Sequence, residues 1–152
     1  MSYAQDVGSF VCNMGAIEHL TYAWVQKLSR DEIVVELATN MDLKPRIDLI
    51  KKLINRSDRL KDWRDSSLAD WADVSGLITT RNALCHNPLL LSWMKPDESA
   101  KPDAMRTPLV KKIMRSEAGQ EKMVDSAELD GAVRKSGALA QKLFLAISEN
   151  KP

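Results

Sequence analysis

The sequence predicts a mainly α protein: an antiparallel four- to five-helix bundle with a small β-hairpin inserted before the last helix. Three observations predict it. Apolar residues recur at helical spacing through most of the chain. Prolines gather in the stretch 95–108, where they interrupt that spacing. Two short apolar runs, separated by a polar stretch with a glycine, follow that stretch at 109–125.

Each element follows from its own residues. Phe10, Met14, Ile17, Thr21, Trp24, Val25 and Leu28 fall on one face of a long first helix. Asp31 to Asn40 reads as a short second helix with Ile33, Val34 and Leu37 as its apolar residues. A third runs from Lys44 to about Lys61 on a stripe of Ile47, Ile50, Leu53, Ile54 and Leu60. Pro45 suits its first turn, where the missing N–H would have no partner anyway. Ser66 or Ser67 caps a fourth helix that reaches His86 or Asn87, and Pro88 ends it. Leu109 to Arg115 and Lys122 to Asp125 read as the two strands of the hairpin, with a short helix as the competing reading. Asp125 and Glu128 have the spacing of a capping box. They open a last helix carrying Leu129, Val133, Leu139, Ala140, Leu143, Phe144 and Ile147. The expected organisation is one helical domain over 1–152, with 95–125 as a loop and hairpin insertion.

The 152 residues carry a formal net charge of +1, which is not that of a polycation coating nucleic acid. Between Lys44 and Arg64, however, eight basic residues (Lys44, Arg46, Lys51, Lys52, Arg56, Arg59, Lys61, Arg64) face three acids. Lys101, Arg106, Lys111, Lys112 and Arg115 form a second cluster. Each reads as a solvated helix face or as a surface that follows phosphates. No apolar run has the length of a membrane span, and the first residues lack the pattern of a signal peptide. Cys12 and Cys85 are far apart and read as reduced thiols of a cytoplasmic protein. Trp24, Trp63, Trp71 and Trp93 read as core or boundary anchors.

Arg81-Asn82-Ala83-Leu84-Cys85-His86-Asn87-Pro88 carries the chemistry. In helical projection, Leu68, Trp71, Val74, Leu77, Ile78, Leu84 and Cys85 share a broad apolar arc, and Arg81 falls in its middle. Arginine is almost never fully buried unless paired. Either Arg81 meets an acid inside the protein, with Glu18 the candidate, or this face lines a cleft or a subunit interface. Asn82 and His86 lie one turn apart at the edge of the arc. His86 suits proton transfer near neutral pH, and it also suits the plain role of a cation at a helix C-terminus. Cys85, aimed into the apolar arc, is expected to be inert. Cys12 and His19, two turns apart, cannot grip one ion, and no zinc spacing occurs. No metal and no cofactor is expected.

Arg81, Asn82 and His86, in the order Arg-Asn-x-x-x-His at the end of the penultimate long helix, resemble the signature of the HEPN superfamily (higher eukaryotes and prokaryotes nucleotide-binding domain). The resemblance implies a metal-independent endoribonuclease, of the kind found in toxin–antitoxin, phage-defence and RNA-processing systems. It implies Arg81 and His86 as catalytic residues and Asn82 as a residue positioning the substrate. The implied partners are a second copy of the chain, RNA and an antitoxin protein, with no membrane. One branch of the superfamily carries a modified tyrosine two residues after the histidine; Pro88 stands there in this chain. The alternative is a non-catalytic helical adaptor of the same fold, binding a protein or nucleotide, in which Arg81 is structural. The chemistry of that implied reaction also fits a homodimer. Cleavage by the 2′-hydroxyl needs one group to take a proton and another to give one, and two-fold symmetry supplies a second His86.

Overall fold

The long amphipathic segments fold as helices around one continuous apolar core. The structure, a computed structural model, describes residues 3–86, 124 and 126–149, with His86 described by its backbone alone. Five α-helices follow in order: α1 (Tyr3–Leu28), α2 (Glu32–Thr39), α3 (Leu43–Arg56), α4 (Arg64–His86) and α5 (Ser126–Ser148). A 3-10 turn, Asp58–Leu60, joins α3 to α4. The core is built from Phe10, Ile17 and Trp24 of α1, Ile47, Ile50 and Ile54 of α3, Trp71 and Val74 of α4, and Leu129 and Leu143 of α5. Trp24 and Trp71 meet edge to face, with ring centroids 5.6 Å apart and planes at 87°.

Successive helices alternate in direction, so helices two or four apart in the chain run the same way. Asn13 Nδ2 donates to Val133 O at 3.2 Å and to Ser136 Oγ at 3.1 Å, and Trp24 Nε1 donates to Leu143 O at 3.4 Å. Lys27 Nζ reaches Ile147 O. The residue numbers rise together, so α1 and α5 run parallel. α4 opposes them: Asp73 pairs with Lys135 and Asp70 with Lys142, each at 2.7 Å. The short α2 explains the arrangement, because it carries the chain back far enough for α3 to start beside Thr21 and run alongside α1. The C-terminal end of α4 and the N-terminal end of α5 therefore lie at the same end of the bundle.

Several sequence expectations need correction. α3 stops at Arg56, not near Lys61, because Ser57 turns extended (φ −86°, ψ 115°) and the following 3-10 turn swings Leu60 into the core. α4 begins at Arg64, before Ser66: the turn feeds straight into it through Ser67 N–H donating to Trp63 O at 2.9 Å. Ser67 is thus an interior, buried helix residue and no cap. The apolar face assigned to α2 is rotated. Ile33 is 67% exposed and Leu37 56%, while Ala38 is buried with Val34 and Val35 packed against the core. Phe144 also faces outward, since α5 gives Leu139 and Leu143 to the core. The hairpin expected over 109–124 lies outside the described residues except for Val124, which is buried and not in a strand; among the described residues there is no strand. The second basic cluster, Trp93 and Asp125 also lie outside them.

Candidate functional site

A cleft of about 720 Å³ opens where α1, α3 and α4 come together. Glu18 and Tyr22 of α1, the turn from Thr39 to Asp42, the first turn of α3 and Ile78, Arg81 and Asn82 of α4 line it. Arg81 reaches it because α4 crosses α1 with Trp71 beside Trp24, which brings the later turns of α4 beside Glu18. Its Nη2 donates to Glu18 Oε2 at 3.3 Å and its Nη1 to Asn82 Oδ1 at 3.2 Å. The Arg81 side chain is 29% exposed and that of Glu18 33%. Both readings of Arg81 therefore describe part of what is seen: it has a carboxylate partner, and it lies at the wall of an open cleft and not inside the core.

A second arginine stands opposite. Arg46, in the first turn of α3, is 2% exposed and has no carboxylate beside it among the described residues. Its Nε donates to Ala38 O at 2.8 Å, its Nη1 to Thr21 Oγ1 at 3.0 Å, and its Nη2 to Met41 O. Its guanidinium lies over the Tyr22 ring, 3.8 Å from the centroid. Buried cations need such satisfaction, because an ion stripped of water without partners costs several kcal/mol. The Thr21 hydroxyl passes the link on, donating to Glu18 O at 2.6 Å. The turn from Glu18 to Tyr22 is thus held from one side by Arg46 and from the other by Arg81. In the sequence Arg46 stands among the basic residues of a solvated or phosphate-following face. The missed signal was its phase: Arg46, Ile50 and Leu53 fall at i, i+4 and i+7 on the buried stripe, the same anomaly that singled out Arg81.

Three cations (Lys44, Arg46, Arg81) and two carboxylates (Glu18, Asp42) line the cleft. The Asp42 side chain does not cap α3. Two of the five N–H donors of Arg81 are engaged among the described residues. The geometry can therefore hold an anion, with Arg81 exchanging its carboxylate for another oxyanion.

No protein-family model, no curated protein and no solved structure matches the chain.

The structure brings Arg81, Asn82 and Glu18 together. His86 is the last residue of α4, one turn beyond Asn82 along the backbone. Cys85 is exposed, contrary to its expected inward direction. In the last turns of α4 the buried positions pass to Thr80, Ala83 and Leu84, which leaves Cys85, one turn after Arg81, outside the core. Cys12 is exposed as well. Among the described residues no group of three or more histidines, cysteines and carboxylates could hold a metal ion, and no helix is long and apolar enough to cross a membrane.

Proposed function

We propose that the chain is a metal-independent endoribonuclease of the HEPN type, cleaving RNA at a composite site made by two copies. One observation carries the reading: the Arg81 guanidinium stands at the wall of an open, polar cleft, loosely paired at 3.3 Å, with spare donors. An arginine needed only for packing would be enclosed as Arg46 is.

In this reaction a 2′-hydroxyl oxygen attacks the adjacent phosphorus. The O2′–P bond forms and the P–O5′ bond breaks, leaving a 2′,3′-cyclic phosphate and a 5′-hydroxyl. One His86 takes the 2′ proton and the His86 of the second copy gives one to the departing O5′. The two Arg81 side chains hold the phosphate and stabilise the charge that grows on its oxygens. Glu18 keeps Arg81 in place until RNA arrives, and Asn82 orients Arg81 or the substrate. No step calls on a metal.

Dimerisation along α4 suits this reading. The outward face beside Asn82 carries Ala72, Gly76 and Thr79, small residues over which a second helix can approach closely. The wider role is that of a toxin or phage-defence nuclease in the cytoplasm, restrained by an antitoxin protein. The Glu18–Arg81 pair favours a second reading, a non-catalytic adaptor in which the pair is structural. End-group analysis decides between them. RNA incubated with the protein in chelator should yield fragments with 2′,3′-cyclic phosphate and 5′-hydroxyl ends. Intact RNA, across substrates of varied sequence and structure, would leave the adaptor.

A further inference from the structure

A second cleft, of about 310 Å³, lies at the other end of α3. Lys27 and Leu28 line it from the end of α1, Arg30 from the link to α2, Leu53 and Arg56 from α3, and Ser57, Asp58 and Arg59 from the turn that follows. Four cations thus face one carboxylate. Helix dipoles explain part of this, because α1 and α3 both end here and their carbonyl ends favour positive charge. They account for Arg56 in the last turn of α3, but Arg30 and Arg59 belong to neither helix. Arg30, Arg56 and Arg59 are exposed, and none is in a salt bridge among the described residues.

A basic helix face lies between the two clefts. The outward face of α3 carries Lys44, Asp48, Lys51, Lys52, Asn55 and Arg56, which is four cations against one acid. Lys51 is steadied by donating to Ser75 Oγ at 3.0 Å. At ~1.5 Å per residue the helix spans about 20 Å from one cleft to the other. Lys44, Asp48, Lys52, Asn55 and Arg56 are all exposed, so no other described helix covers them.

We infer that single-stranded RNA lies along the outer face of α3, its phosphates running from Arg81 to an anchoring site at Arg30, Arg56 and Arg59. Unpaired arginines in a cleft suit phosphate oxygens, which they grip through a planar fork. A line of cations several nucleotides long suits a flexible backbone better than it suits a lone anion. The choice of RNA rests on the nuclease reading; the path along α3 rests on the charges alone.

The test is fluorescence anisotropy with a labelled, 2′-O-methylated single strand of ~12 nucleotides, which cannot be cleaved. The intact chain is compared with Arg56→Glu/Arg59→Glu, with Arg30→Glu, and with Arg134→Glu/Lys135→Glu on α5, which makes the same charge change as the first pair. The double reversal at the cleft should weaken binding by about tenfold or more and lower the salt slope by about 1.4, the share of two phosphates on a single strand. Arg30→Glu should weaken it in the same direction, and the α5 reversal should change it by less than about twofold, since distant charge is screened. Equal weakening by both double variants would mean bulk charge only and overturn the inference. So would unchanged binding in the cleft variants, or no binding by the wild-type chain. If binding follows the predicted pattern but 2′-hydroxyl RNA is never cut, the path stands and the nuclease reading falls. If RNA is cut and the cleft reversals leave kcat/KM unchanged, the path alone falls.

Discussion

Arg81 of α4 donates to the Glu18 carboxylate of α1 at 3.3 Å, at the wall of a cleft and only partly screened from water. A pair of that exposure is worth about 0.2–1 kcal/mol. Arg81→Ala should therefore lower stability by no more than about 1 kcal/mol in urea unfolding. Cleavage of RNA should fall by a factor of about 100 or more, the cost of losing a group that stabilises transition-state charge. A loss of several kcal/mol with unchanged cleavage would make Arg81 a structural residue.

Arg46 should behave in the opposite way. Arg46→Met removes the donor to Ala38 O, Thr21 Oγ1 and Met41 O at a buried position. Ala38 O keeps the Met41 N–H at 3.3 Å and the Met41 carbonyl is only part-buried, so the loss falls mainly on one acceptor and a destabilisation of about 1–3 kcal/mol is expected. Arg46→Lys should cost less, because an ammonium can still donate, but it cannot match the planar fork or its stack on Tyr22. Urea unfolding of the two variants checks the order.

Both arginines were legible in the sequence by one rule, a cation in phase with an apolar stripe. The rule does not say which becomes buried. That depends on acceptors brought from elsewhere: Arg46 meets the carbonyls at the end of α2, whereas Arg81 meets a half-exposed acid. The long helices were legible because their stripes are wide. The parallel run of α1 and α5 follows from five alternating helices, and so depends on the eight-residue α2 counting as one of them, which a stripe that short does not settle. The exposure of Ile33 and Leu37 was not legible either. An eight-residue helix has too few turns for periodicity to fix its rotation, and Ala38, which decides it, is a weak apolar signal.

Gly76→Arg separates dimerisation from folding. Gly76 is on the exposed face of α4, and a Cβ there would meet nothing within 4 Å. Replacing a helical glycine favours the helix by up to about 1 kcal/mol. A large cation on this face should nonetheless prevent a second helix from approaching. The variant is expected to unfold no earlier than wild type, to sediment as a monomer and to cleave no RNA. A dimeric, active Gly76→Arg protein would place the interface elsewhere.

Stability should decline at alkaline pH through Tyr3. Burial, with the nearby Glu128 charge, raises its pKa above 10.0. The hydroxyl also donates to Val124 O at 3.4 Å. Above about pH 10 the unfolded chain loses this proton first, so the folded state binds more protons and stability falls as pH rises. Below pH 10 the group contributes no pH dependence. Tyr3→Phe should flatten that part of the stability–pH curve, measured by urea midpoints between about pH 9 and 11.

The nuclease account is tested most directly by cutting one labelled RNA, in chelator, with wild type, Arg81→Ala and His86→Ala at equal concentrations. The account predicts cleavage by wild type and a loss of about 100-fold or more in each variant, with all three folded alike. Equal cleavage by all three, or none by wild type on varied RNAs, would contradict it.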